Sequence, residues 1–147
     1  MCIRDRIDLL VSFLKSSDFQ IATLYKRISE KEKIFNPNVV KTVFDKNGKA
    51  LYFSRSPIPH VRGFDESQWE SKGRFYKHIG LYAFRQMTLL EIAHLPKGEL
   101  EKTESLEQLR WLENGYSIGI TETTEETIGI DTPEDLAKAE AFLKLKS

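Results

Sequence analysis

Asn47-Gly48 interrupts two runs that read as strands: residues 39–45, β-branched and alternating, and residues 50–54, which return. Both central positions of a type I′ turn need positive φ, which Asn and Gly tolerate, so this pair predicts a tight antiparallel hairpin. A hairpin a third of the way along commits the chain to a sheet. Helical patterns surround it. Ile7, Leu10, Val11 and Leu14 recur at helical spacing, and Ser16-Ser17-Asp18 ends that stripe. Residues 22–33 predict a second helix, closed by the breaker Pro37. Residues 55–74, with Pro57, Pro59, Gly63 and Gly73, read as a long loop. Residues 75–84 read as an apolar strand, residues 87–94 and 105–113 as helices, and residues 117–122 and 127–130 as short strands. Thr132 as N-cap and Pro133 at the first helical position open a last helix. Helices alternating with strands predict an α/β layered domain.

Composition narrows the function. The chain has 147 residues, and 22 Lys+Arg balance 22 Asp+Glu. That balance argues against sequence-independent nucleic-acid binding, which needs a basic face, and against a polybasic membrane anchor. No apolar run reaches the roughly 18 residues of a spanning helix. One cysteine, Cys2, rules out an internal disulfide and a Cys-based zinc site, and it fits a reducing compartment. The first six residues carry no apolar stretch of the kind a secretory signal needs.

Four stretches hold residues suited to chemistry. In Ile128-Gly129-Ile130-Asp131-Thr132-Pro133-Glu134-Asp135-Leu136, a strand ends in a carboxylate just before a capped helix. Ligands of open α/β sheets bind beyond strand ends, and Asp131 there suits a hard cation such as Mg²⁺. The same residues also make an ordinary helix cap. In Tyr76-Lys77-His78-Ile79-Gly80-Leu81-Tyr82, side-chain alternation puts His78, Gly80 and Tyr82 on one face, with room for a ligand over the glycine. A His and a Tyr satisfied at a sheet end would look alike. Glu107 and Gln108 sit beside the Leu106, Leu109, Leu112 stripe and suit the hydroxyls of a sugar, or simply a solvated helix face. Arg55 and Arg62, seven positions apart around a proline-stiffened turn, suit carboxylate or phosphate, or a loop or subunit contact. The sequence has no phosphate-cradling Gly-rich loop, and His60, His78 and His94 lack the spacing of a zinc helix.

These stretches, preceded by Asn36-Pro37-Asn38-Val39-Val40-Lys41 and by Leu51-Tyr52-Phe53-Ser54-Arg55-Ser56-Pro57-Ile58-Pro59, resemble in order the 3-deoxy-manno-octulosonate cytidylyltransferases, the CMP-Kdo synthetases of lipopolysaccharide biosynthesis. The resemblance runs from about Ile7 to the end. It implies a Rossmann-like, three-layer nucleotidyltransferase domain in a cytoplasmic homodimer. It also implies Mg²⁺-dependent attack of the Kdo anomeric hydroxyl on the α-phosphate of CTP, with pyrophosphate leaving. By position, Asp131 would be one of two metal-binding aspartates. Arg55, Arg62, His78, Tyr82, Glu107 and Gln108 would line the sugar pocket.

Family members begin with a strand and a Gly/Arg-rich phosphate loop, and a later strand ends in the other metal aspartate. Neither segment is in these residues. The expectation is therefore that residues 7–147 are the C-terminal portion of such a domain, incomplete for the nucleotide, inactive alone, and preceded by a six-residue leader foreign to the family. Two other readings stay open: a cytidylyltransferase for another acidic sugar, such as sialic acid or 8-amino-Kdo, and a non-catalytic binding or dimerisation module.

Overall fold

The computed structural model describes residues 3–124 and Ala137. Its helices are α1 (Ile3–Lys15), α2 (Lys31–Phe35), α3 (Trp69–Lys72), α4 (Gln86–Ile92), α5 (Glu99–Glu104) and α6 (Gln108–Glu113). Its strands are β1 (Ile21–Arg27), β2 (Lys41–Phe44), β3 (Ala50–Ser54), β4 (Tyr76–Phe84) and β5 (Ile118–Glu122). The five strands form one mixed sheet in the order β3-β2-β4-β1-β5. β1 runs parallel to β5 and antiparallel to β4.

Strand alternation sorts the side chains of β1 into two cores. Ala22 and Leu24 pack with Leu10 and Leu14 of α1 and with Ile79. On the opposite face Ile21 joins Phe53, Ile118 and Ile120 under Ile92, Leu106, Leu109 and Trp111 from the second helical layer. The result is a sheet covered by helices on both faces, as an α/β layered fold requires. A third cluster, Ile28, Ile34, Trp69 and Phe75, closes one end of the sheet. Gly119 faces α1, and a Cβ there would fall into the rings of Phe19 and Phe13.

Residues 21–27 form a strand, not the start of the expected 22–33 helix, and only Lys31–Phe35 is helical. The physical reason is burial on both faces. Ile21 to Leu24 are all essentially inaccessible, so the apolar pattern is continuous and periodicity does not separate helix from strand. The hairpin is where it was expected, but its turn differs. Only Gly48 has positive φ (78°), so the turn is not type I′. The Asp45 carboxylate accepts the N–H groups of Asn47 (2.8 Å) and Lys49 (2.9 Å). This side-chain turn stabilises the five-residue connection 45–49, and the β2–β3 register shifts beside it. Gly48 O then accepts the Ile120 N–H at 2.8 Å, so the hairpin tip reaches β5.

The expected 105–113 helix begins only at Gln108, because Ser105 is left-handed (φ 53°) and breaks the chain there. The preceding helix α5 had no cap signal in the sequence. It is held to α6 by Glu101, whose carboxylate accepts both Arg110 Nε–H and Nη2–H at 2.6 Å. The 55–74 loop carries a 3-10 turn at Glu66–Gln68 and then α3. Trp69 anchors it, stacked on Phe75, with its indole N–H donated to Phe64 O at 3.1 Å. The 127–130 strand and the last helix lie outside the described residues. Among the described residues, no helix is long and apolar enough to cross a membrane.

Candidate functional site

The site is built around an irregularity in β4. Thr23 pairs with Tyr82 while the next residue, Leu24, pairs with Ile79, so Gly80 and Leu81 are extra on β4. Because the insertion is two residues, the alternation is preserved across it. His78, Tyr82 and Phe84 therefore stay on the second-layer face, as expected, and the His78 and Tyr82 rings lie 5.5 Å apart. A Cβ on Gly80 would meet nothing within 4 Å, so the space at the bulge is open.

His78 is buried, with Phe53 edge-on to its ring at 4.9 Å. Burial lowers its pKa from the ordinary 6.5 to about 3, so the ring is neutral at physiological pH. Its Nε2 lies 2.9 Å from the buried hydroxyl of Thr23. Tyr82 packs edge-on against Trp111 of α6 at 5.0 Å. Burial first, and the Glu107 carboxylate second, raise the phenol pKa, so the O–H keeps its proton.

Glu107 and Gln108 enter from the start of α6. Glu107 is two-thirds exposed and 3.9 Å from Arg110, at the edge of a cleft of about 650 Å³ that Lys97, Lys102 and Ser105 also line. Gln108 is only 5% exposed, yet its amide makes no hydrogen bond among the described residues. Neither amide atom is sealed from solvent, so both stay open to a water or a ligand. Helical spacing puts Gln108 on the side of Trp111, which touches Tyr82.

The two arginines part company. Arg55 lies at the rim and donates Nε–H to Glu104 O (2.7 Å), Nη1–H to Pro37 O (3.0 Å) and Nη2–H to Ser105 O (3.2 Å). Two of its five donors remain for an anion. Arg62 is exposed on the 55–74 loop and is not joined to the other site residues by any contact among the described residues. Asp131 lies outside the described residues. Among those described, no group of three or more His, Cys, Asp or Glu side chains is arranged to hold a metal.

Three residues that sequence reasoning missed support the site. Thr23 was hidden in the segment read as a helix. Lys41, fully buried, donates Nζ–H bonds to Asn36 O (2.9 Å), Val39 O (2.6 Å) and Arg55 O (2.6 Å). Glu104 accepts from Ser54 Oγ–H (2.7 Å) and from the Arg55 backbone N–H (2.8 Å). The one signal for Lys41 was a charge inside an apolar alternating strand.

The family described as Cytidylyltransferase matches residues 2–128. The 3-deoxy-manno-octulosonate cytidylyltransferase of Parabacteroides distasonis is 51% identical over 143 residues, 95% of this chain and 57% of that protein. The one from Phocaeicola vulgatus is 56% identical over 128 residues, 85% of this chain and 51% of that protein. A solved structure of CMP:2-keto-3-deoxy-manno-octonic acid synthetase complexed with CTP superposes with a TM-score of 0.87 at 34% identity. It covers 100% of this chain and 58% of the solved one. The chain thus spans little more than half the length of the relatives it matches.

Proposed function

The chain belongs to the cytidylyltransferase family, and on that premise we propose that it carries the sugar-binding half of an enzyme that transfers CMP from CTP to 3-deoxy-manno-octulosonate. The products are CMP-Kdo and pyrophosphate, for lipopolysaccharide synthesis. The enzyme is a homodimer and works in the cytoplasm, where CTP is made.

One observation carries the reading: His78 and Tyr82, set among aromatic rings, and Gln108 are uncharged polar side chains with hydrogen-bonding capacity the protein leaves unused. Neutral donors and acceptors against ring faces suit a polyhydroxylated sugar better than a phosphate. Arg55 and Arg62 meet the acidic groups, with Arg55 nearer the pocket. Glu107 holds a hydroxyl at the cleft edge. These groups bind and orient Kdo so that its anomeric hydroxyl faces the α-phosphate of CTP, and positioning of this kind supplies much of the rate of a phosphoryl-type transfer. Mg²⁺ would add charge neutralisation on the phosphates, with Asp131 as one ligand.

Thermal unfolding of the 147-residue chain tests the reading. Kdo at millimolar concentration raises the midpoint and N-acetylneuraminate does not. With CTP, Kdo and Mg²⁺ together, the chain alone releases no pyrophosphate. Equal stabilisation by both sugars would favour another acidic-sugar substrate, and stabilisation by neither would remove the sugar-binding assignment.

A further inference from the structure

We propose that Thr23 is a positioning residue that fixes His78 as its Nε2–H tautomer, so that His78 meets a ligand as a hydrogen-bond acceptor at Nδ1 and selects a hydroxyl there over a carboxylate. The proposal deepens the sugar-binding reading and rests on it for the identity of the ligand.

The Thr23 hydroxyl is fully buried and has one hydrogen. It lies 2.9 Å from Leu81 O, 3.2 Å from Ile79 O and 2.9 Å from His78 Nε2. Both carbonyls belong to the bulged part of β4, and both can only accept. The hydroxyl therefore donates to a carbonyl, and the better placed is Leu81 O. Its lone pair then faces Nε2, which must carry a hydrogen. The reverse arrangement, Thr23 donating to Nε2, would leave two carbonyl oxygens facing a hydroxyl oxygen with no proton between them.

A neutral imidazole has one N–H, so a protonated Nε2 leaves Nδ1 with a bare lone pair. Burial keeps the ring neutral far below physiological pH. Nδ1 makes no hydrogen bond among the described residues, and it is not among the buried atoms sealed without a partner. Tyr82, which keeps its phenol proton, is the titratable side chain in ring contact with His78. A lone pair on a largely buried ring attracts O–H and N–H groups and repels carboxylate oxygen. The sugar is therefore oriented with a hydroxyl at His78 and its carboxylate elsewhere.

The experiment is long-range ¹H–¹⁵N correlation spectroscopy of the histidine rings, on the full chain without ligand. Wild type is expected to give the Nε2–H pattern for His78. Thr23→Val, which keeps the shape but not the hydroxyl, is expected to lose that pattern, and Thr23→Ser to restore it. An Nδ1–H pattern in wild type overturns the proposal without any variant, so a Thr23→Val chain that fails to fold does not protect it. Kdo titrations supply the second arm: about tenfold weaker binding in Thr23→Val, recovered in Thr23→Ser. A shifted tautomer with unchanged affinity overturns the selection step. Absence of Kdo binding in every form, with the tautomer pattern as expected, overturns the sugar reading and leaves the Thr23–His78 pairing standing.

Discussion

Arg55 and Glu104 hold each other twice: the Arg55 Nε–H donates to the Glu104 carbonyl at 2.7 Å, and the Glu104 carboxylate accepts the Arg55 backbone N–H at 2.8 Å. The next carbonyl, that of left-handed Ser105, accepts Nη2–H of the same guanidinium. Arg55 thus fixes the chain two residues before Glu107 and Gln108. The planar fork reaches Glu104, Pro37 and Ser105 together, and an ammonium in its place would not. Arg55→Lys is expected to lower the unfolding free energy by about 1–2 kcal/mol and to weaken Kdo binding. Denaturant titration and calorimetry measure the two effects. An unchanged stability would contradict the anchoring role.

Lys41 makes the same anchor from beneath, with its three ammonium donors on three carbonyls. Lys41→Met keeps the bulk and orphans those oxygens, so a loss of about 3 kcal/mol is expected. Burial lowers the Lys41 pKa from 10.5 to about 8, with Glu104 opposing the shift and Arg55 adding to it. Between about 8 and 10.5 the unfolded chain therefore holds a proton that the folded chain has released. Stability linked to Lys41 rises with pH across that window. The difference between wild type and Lys41→Met, followed by denaturant titration from pH 7 to 10.5, should change in that direction.

Gln108 separates stability from binding. Its side chain is largely buried, and its amide, without a protein partner, keeps access to solvent. Gln108→Leu should change the unfolding free energy by no more than about 1 kcal/mol and weaken Kdo binding at least tenfold. A variant that loses stability and keeps its affinity would show that the amide serves the fold.

His78 links the site to acid sensitivity. Its folded pKa, about 3, lies below the ordinary 6.5 because the ring is buried. As pH falls from 6.5 toward 3 the unfolded chain takes up a proton that the folded chain refuses, so stability contributed by neutral His78 is lost across that range. His78→Gln should have a flatter stability profile between pH 6.5 and 4 than wild type. Equal slopes would mean that the ring is not held neutral.

The legible parts of the sequence were those where one face was buried or one turn residue was decisive. The apolar run of residues 75–84 located β4, alternation along it put His78 and Tyr82 on one face, and Asn47-Gly48 located the hairpin. β1 was misread because its two faces are both buried, which erases the period. The hairpin turn departed from type I′ because the Asp45 side chain competes for the local N–H groups. Thr23, Lys41 and Glu104 were out of reach for a different reason. Thr23 meets His78 across 55 positions, and Arg55 meets Glu104 across 49, so their roles exist only once the sheet has formed. Arg55 was read as a carboxylate or phosphate ligand or as a loop contact, and three of its five donors go to backbone carbonyls.

A ¹H–¹⁵N and ¹H–¹³C NMR titration of the labelled 147-residue chain with Kdo tests the central claim most directly. The account predicts saturable shift changes at His78, Tyr82, Glu107 and Gln108, with smaller ones at Ser105 and Arg55. Saturable binding that moves resonances elsewhere, or no change at these four residues at millimolar Kdo, would contradict it.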